Sequence, residues 1–384
     1  MVGRFLRSAG WPRIIIALFL LSLFIAAPFV NVRVDTSLSN TLVRFGMNGV
    51  LVLAMIPMIQ AGCGLNFGLP LGIIAGLLGA TLSIELDSRV MNDIVALASQ
   101  HGISWLTMDF VNAHHGAMGF ALAIIIAVPI AAVLGWFYGL LLNRVKGDEM
   151  MIATYVGFSS VSFMCIAWLR LPYQHPTILQ AYAGRGLRNN ISVEGNWLHV
   201  LNDTFSLKLS DYSFTPQWLD HLYIPTGMLL FFAVMAILVW LFMKTKTGTA
   251  MTAAGSNPEF ARASGVNVNR MRTISVMLST ILGAIGILVY EQSYGFIQLY
   301  DSPMRSAFPA VAAILLGGAS VKKASILNVI IGTFLFQGIL TMTPSVINSF
   351  GNIIESDMSE MSEVIRMILS NGMLLYALTR KVRD

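Results

Sequence analysis

Apolar runs recur along this chain at about the length of one bilayer crossing. They lie near 13–30, 42–61, 68–86, 116–142, 150–169, 223–243, 272–292, 305–317, 324–342 and 363–379, with polar intervals between them. A helix needs about 20 residues, at 1.5 Å each, to cross about 30 Å of hydrocarbon. The pattern therefore predicts an all-α polytopic membrane protein with about ten transmembrane helices, a single transmembrane domain over residues 1–384. The eighth run is too short to cross alone. We expect 293–317 to be a broken or re-entrant element.

Two stretches interrupt the helical pattern. Gly62-Cys63-Gly64-Leu65-Asn66-Phe67-Gly68-Leu69-Pro70 places three glycines and a proline within apolar sequence. Tyr294-Gly295-Phe296 and Asp301-Ser302-Pro303 form the second break. Such residues do not continue a regular helix. In lipid, the backbone groups they free must be buried in protein or line a watery path. One irregular site in each half is the pattern of an inverted-repeat transporter.

Composition agrees with the runs: 56% of residues are hydrophobic, 11% are charged, and the mean hydropathy is +0.72. Charge then orients the chain. With the N-terminus inside, 15 of the 24 basic residues face the cytoplasm, among them Arg4, Arg7, Arg13, Arg144, Lys146, Lys322, Lys323 and Arg380. Only Asp148, Glu149, Glu259 and Asp384 of the 19 acidic residues join them. This is the positive-inside arrangement, with both termini cytoplasmic. It accounts for the net charge of +5 without a nucleic-acid partner. The N-terminal run after Arg13 is long for a cleaved signal and reads as a retained first helix. Cys63 and Cys165 lack metal or CxxC spacing and read as packing residues. His114 and His115 are adjacent, so they point in different directions on a helix, and no HExxH or GxSxG motif occurs. An enzyme is therefore not expected. Two long outer loops, 87–115 and 170–222, suggest docking or lid roles.

The interval 244–272 is the longest polar stretch on the cytoplasmic side. Within it, Ser256 or Asn257 can cap a helix, Pro258 suits its first turn, and Glu259 completes an S-x-x-E box with Ser256. Gly265 is the natural stop. The predicted helix has about two turns and is too short to be stable alone. It must dock on something, with Phe260, Ala261 and Ala263 as apolar contacts and Glu259 and Arg262 as charged ones.

The stretch GSNPEFARASGVNVNRMR from Gly255 to Arg272 resembles the cytoplasmic coupling segment of the ribose/simple-sugar permease family of bacterial ABC importers (the branched-chain amino acid/monosaccharide permeases). Ala310–Ser320 is similar to that family's A-[IV]-A-A-x-x-L-G-G-x-S run. Gly62–Gly72 resembles its glycine-rich stretch after the second span, with Asn66 where an aspartate is frequent. The resemblance implies a translocation subunit that moves a small polar solute, a simple sugar above others, by alternating access. It implies cytoplasmic ATPase subunits docked on Gly255, Ser256, Asn257, Pro258, Glu259, Phe260, Arg262 and Gly265. It also implies a second permease chain, homo- or heterodimeric, and an extracytoplasmic solute-binding protein. The chain has no G-x-x-x-x-G-K-[ST] loop, since Gly317-Gly318 and Lys322-Lys323 have the wrong spacing. ATP and Mg are therefore expected on the partner ATPase, with no cofactor here.

Polar and aromatic residues at apolar depth are the candidates for the pathway: Asn48, Gln60, Asn66, Phe67, Tyr155, Glu291, Gln292, Tyr294 and Gln298. Intramembrane polar groups are costly, which makes function a natural default, with helix–helix bonding as the alternative. Amides and aromatic faces suit a neutral polyol. Nucleosides and other small solutes remain alternatives. So does an ion-coupled secondary transporter using Glu85 or Glu291, although that leaves the capped cytoplasmic helix unexplained.

Overall fold

The computed structural model describes residues 11–101, 107–145, 147–179, 187–203, 207–208, 221–353 and 359–379. The first half begins with α1 (Trp11–Ala26), which ends in a short 3-10 turn, Ala27–Val30. It continues with α2 (Val34–Leu53), α3 (Met55–Gln60), α4 (Leu69–Gln100), α5 (Met108–Ala113), α6 (His115–Arg144) and α7 (Glu149–Ala167). An outer excursion follows, with β1 (Asn190–Ser192), α8 (Val200–Asp203), β2 (Leu207–Lys208) and β3 (Tyr223–Ile224). The second half comprises α9 (Thr226–Lys244), α10 (Lys246–Ser256), α11 (Pro258–Ala263), α12 (Val268–Tyr294), β4 (Phe296–Gln298), α13 (Ser302–Leu316), α14 (Ile326–Ile353) and α15 (Ser359–Thr379).

Among the described residues, seven helices are long and apolar enough to cross a bilayer: 34–60, 69–87, 115–144, 149–167, 226–244, 268–294 and 326–350. Two shorter apolar helices, 14–30 and 302–316, accompany them. A polytopic helical membrane protein is thus what the chain forms, while the expected count of about ten spans is not reached by length and hydropathy. The last expected span does form a helix, α15, which is not one of these seven. The eighth run behaves as expected for a broken element: β4 and a turn precede the short helix α13.

The helix α12 is the centre of the bundle, packed against α2, α4 and α6. Its seams use small residues, the usual means of close approach where lipid supplies no hydrophobic drive. A Cβ on Gly72 would stand 2.7 Å from Thr280 O, and one on Gly135 2.8 Å from Met277 Cα. One on Gly286 would meet Leu51 N at 2.9 Å. In contrast α6, α7 and α9 turn large side chains outward, including Trp136, Phe137, Phe163 and Trp240. Such faces belong against lipid or another apolar surface.

Two outer expectations change. The stretch expected as the loop 87–115 is largely helical, because α4 runs on to Gln100 and α5 follows. Part of that stretch, 102–106, lies outside the described residues. The long excursion 170–222 is tied back by β1, which pairs antiparallel with β4 in the register Asn190↔Gln298, Ile191↔Ile297, Ser192↔Phe296. Residues 180–186, 204–206 and 209–220 of that loop lie outside the description.

Candidate functional site

The polar segment 244–272 contains two helices where one was expected. Thr245 caps α10, its hydroxyl accepting from Gly248 N at 3.2 Å. Of the two candidate caps for the next helix, Asn257 serves: its Oδ1 accepts from Phe260 N at 3.0 Å. Ser256 ends α10 instead, and its hydroxyl donates to Ala253 O at 3.1 Å. The S-x-x-E box is therefore not formed, because the chain is still helical at Ser256 and turns extended only at Asn257. Gly265 closes α11 in the left-handed region, φ +82°, where a glycine carries no Cβ penalty.

Exposure divides α11. Ala261 is buried against Ala254 and Val268, so it holds the helix down and is not a free contact. Pro258, Glu259, Arg262, Ala263 and Gly265 are exposed, and Phe260 is 68% exposed. A phenylalanine presented beside Glu259 and Arg262 on a capped, tethered turn is a surface suited to a protein partner.

This segment is joined to the first break. A Cβ built on Gly62 would stand 2.9 Å from Gly255 Cα, and one built on Gly255 would strike Gln60 O and Gly62 N. The glycines let the end of α10 lie directly on the backbone of the break. On its other side the break is bonded to α12. Arg272 donates from Nε to Cys63 Sγ at 3.3 Å and pairs through Nη2 with Glu149 at the start of α7. Arg272, one of the 15 basic residues that charge assigns to the inner side, is buried. Deeper, Asn66 Nδ2 donates to Ser279 Oγ at 2.8 Å, Ser279 Oγ donates to Ala54 O at 2.6 Å, and Tyr138 Oη donates to Asn66 Oδ1 at 3.3 Å. Ala54 is the residue at which α2 gives way to α3. The backbone carbonyl at this kink is thus satisfied by a side chain, as a broken helix in lipid requires.

The remaining predicted residues fall into several places. Gln60, half-buried, donates to Ala324 O at 2.6 Å and links the break to the segment before α14. Phe67 lies 6.3 Å from the Phe308 ring, which in turn is 6.2 Å from Phe158. Asn48, half-buried, donates to Arg44 O at 3.0 Å. Tyr155 is 62% exposed on the outward face of α7, apart from the others. Gln292 accepts from Leu201 N at 3.2 Å and donates to Asn202 Oδ1 at 3.1 Å, so it anchors the outer excursion. Gln298 lies in the β1–β4 ribbon. Glu291 is fully buried, and neither carboxyl oxygen has a hydrogen-bond partner. Glu85 accepts from Gln174 N and His175 N and so fastens the start of the 170–222 loop.

Against this geometry the comparisons are decisive for family. The family described as the permease component of branched-chain amino acid transport systems matches residues 37–378. The chain belongs to this permease family. Its similar proteins include the nucleoside ABC transporter permease protein NupB of Lactococcus lactis subsp. cremoris, 22% identical over 258 residues, 66% of this chain and 64% of that one. Autoinducer 2 import system permease proteins LsrC are also similar. That of Shigella flexneri is 32% identical over 114 residues, 30% of this chain and 32% of the relative. That of an Escherichia coli strain is 25% identical over 224 residues, 58% and 56% of the two chains. The match thus covers from about a third to just under two thirds of these relatives' own lengths. No solved structure matches the chain.

Within this permease, sequence reading missed four participants: Ser279, Tyr138, Glu149 and Arg272. Ser279 and Tyr138 looked like ordinary members of apolar runs. Their one signal is a hydroxyl at apolar depth, a type that usually bonds its own helix. Arg272 sits at a helix start where a solvated charge is the ordinary case. No group of three or more metal-ligating side chains occurs among the described residues.

Proposed function

We propose that this chain is the translocation subunit of an ATP-driven importer for a small polar solute. Cytoplasmic ATPases dock on α11 and its exposed flanks, Ser256 to Gly265, and hydrolyse ATP with Mg on their own chains. A second permease chain completes the pathway, and an extracytoplasmic binding protein delivers solute to it in the inner membrane. A simple sugar is the first candidate solute. A nucleoside is the second, since one relative carries that substrate in its name.

The observation that supports this reading best is the pairing of an exposed Phe260 with the backbone contact between Gly255 and Gly62. A partner that moves α11 pushes α10, and α10 lies on the break that carries Gln60 and Phe67. A tilt of docked helices switches access by rigid-body motion between two states, each favoured by a different ligand.

The test is affinity purification of the full chain from its native membrane in mild detergent, with mass spectrometry of what accompanies it. An ATPase is expected with the native chain and is expected to be lost from the Glu259→Arg, Gly265→Trp double variant. Retention of the ATPase by that variant, or its absence from both, rejects the coupling surface.

A further inference from the structure

The outer end of α12 carries a cluster that the coupling segment does not use. The helices α2 and α12 run antiparallel: Ser279 bonds Ala54 O, and Gly286 packs on Leu51. Steps of three and four residues outward from that last contact bring Asn48 and then Arg44 opposite Tyr290 and then Tyr294. The Tyr290 and Tyr294 rings stack with centroids 5.5 Å apart, and Tyr294 meets Phe296 edge-on at 6.2 Å. Arg305 joins from the first turns of α13, which packs against α2. Both Arg44 and Arg305 are exposed, as are Tyr294 and Phe296.

Neither arginine is in an ion pair with a described carboxylate. Asp301, one turn before Arg305, contributes its backbone carbonyl, which accepts from Arg305 N at 3.0 Å. A neutral polyol brings no counter-charge to these two exposed guanidinium groups. A guanidinium presents paired donors that fit a phosphate or carboxylate. The exposed tyrosine face beside them fits a ring.

We propose that Arg44, Arg305 and the Tyr290–Tyr294 pair form an outward-facing binding site for a ring-bearing solute that carries a phosphate or carboxylate. The site rests on the reading of the chain as a solute permease and narrows its substrate class from neutral polyols to anions.

The full chain in nanodiscs of phosphatidylcholine alone is titrated with three pairs: ribose and ribose 5-phosphate, adenosine and its 5′-monophosphate, glucose and glucuronate. At least one charged member is expected to bind about tenfold or more tighter than its neutral twin, the scale of one charge-assisted hydrogen-bonded contact. Arg44→Gln and Arg305→Gln should each remove most of that preference, and Tyr294→Leu should weaken the bound ring without removing it. No charge preference in the native chain, or a preference that survives both arginine variants, overturns the proposal. A second arm repeats the titration with phosphatidylglycerol in the disc. If that lipid abolishes the preference and co-purifies with the native chain but not the arginine variants, the cations hold a headgroup and the solute site is rejected. These titrations involve no ATPase, so their failure is separable from failure of the coupling surface.

Discussion

Gly255 and Gly62 meet backbone to backbone, with no room for a methyl group on either. This contact joins the end of α10, next to the proposed ATPase surface, to the glycine break after α3. It joins the polar segment directly to the irregular backbone between two spans.

Gly255→Ala should therefore uncouple without undocking. The added Cβ strikes the carbonyl of Gln60 and the amide of Gly62, and overpacking of this kind costs about 1–3 kcal/mol. We expect a lower melting temperature in detergent and lost transport, while an ATPase still co-purifies. Gly265→Ala is the control: nothing lies within 4 Å of its Cβ, and only the left-handed backbone opposes it, at about 1 kcal/mol.

Asn257 and Phe260 separate folding of α11 from its use. Asn257→Ala removes the cap bond to Phe260 N and should cost about 1 kcal/mol, with Asn257→Asp restoring most of it. Phe260→Ala should change stability by less than about 0.5 kcal/mol, because the ring is exposed. Its expected effect is loss of the co-purifying ATPase. Thermal melts and pull-downs on the same preparations check both.

Arg272→Gln breaks an ion pair at the junction of α7, α12 and the glycine break, and removes the donor to Cys63. Orphaning one partner of a fully buried pair costs about 3–5 kcal/mol. Glu149 keeps some solvent contact, so the lower end or less is expected. The double variant Arg272→Gln, Glu149→Gln should recover part of the loss, measured by melting of the four members of the cycle.

Adjacent residues at the outer end of α12 should respond in opposite ways. Gln292→Leu breaks bonds to Leu201 N and Asn202 and should destabilise by about 1–3 kcal/mol. Glu291→Leu removes a fully buried carboxyl with no bonded partner and should leave the melting temperature unchanged or raise it. A loss of transport in that stable variant would mark Glu291 as part of the mechanism.

Much of this molecule was readable from residue order, because lipid leaves the backbone few choices. Long apolar runs must become helices, since an unpaired amide in hydrocarbon costs several kcal/mol. The crossings at 115–144, 149–167, 226–244 and 268–294 follow from that constraint alone. So do the irregular segments after Gln60 and Tyr294, where glycine and proline chemistry stops a helix whatever surrounds it. The stop at Gly265 was equally local.

Tertiary structure decided the rest. Whether Ser256 or Asn257 caps α11 depended on α10, a helix of small and polar residues that packs through Met251 and Ala254 and has no apolar run to announce it. The continuation of α4 to Gln100 and the pairing of Asn190 with Gln298 join segments whose partners lie far along the chain. A glycine reads the same in sequence whether it frees a turn or admits a neighbouring backbone, so the contact of Gly62 with Gly255 had no sequence signal. Arg272 likewise reads as a solvated charge until the fold brings Glu149 and Cys63 to it. Local chemistry determined where helices run and stop; which polar groups are spent on holding them together, and which stay exposed to act, was settled only by packing.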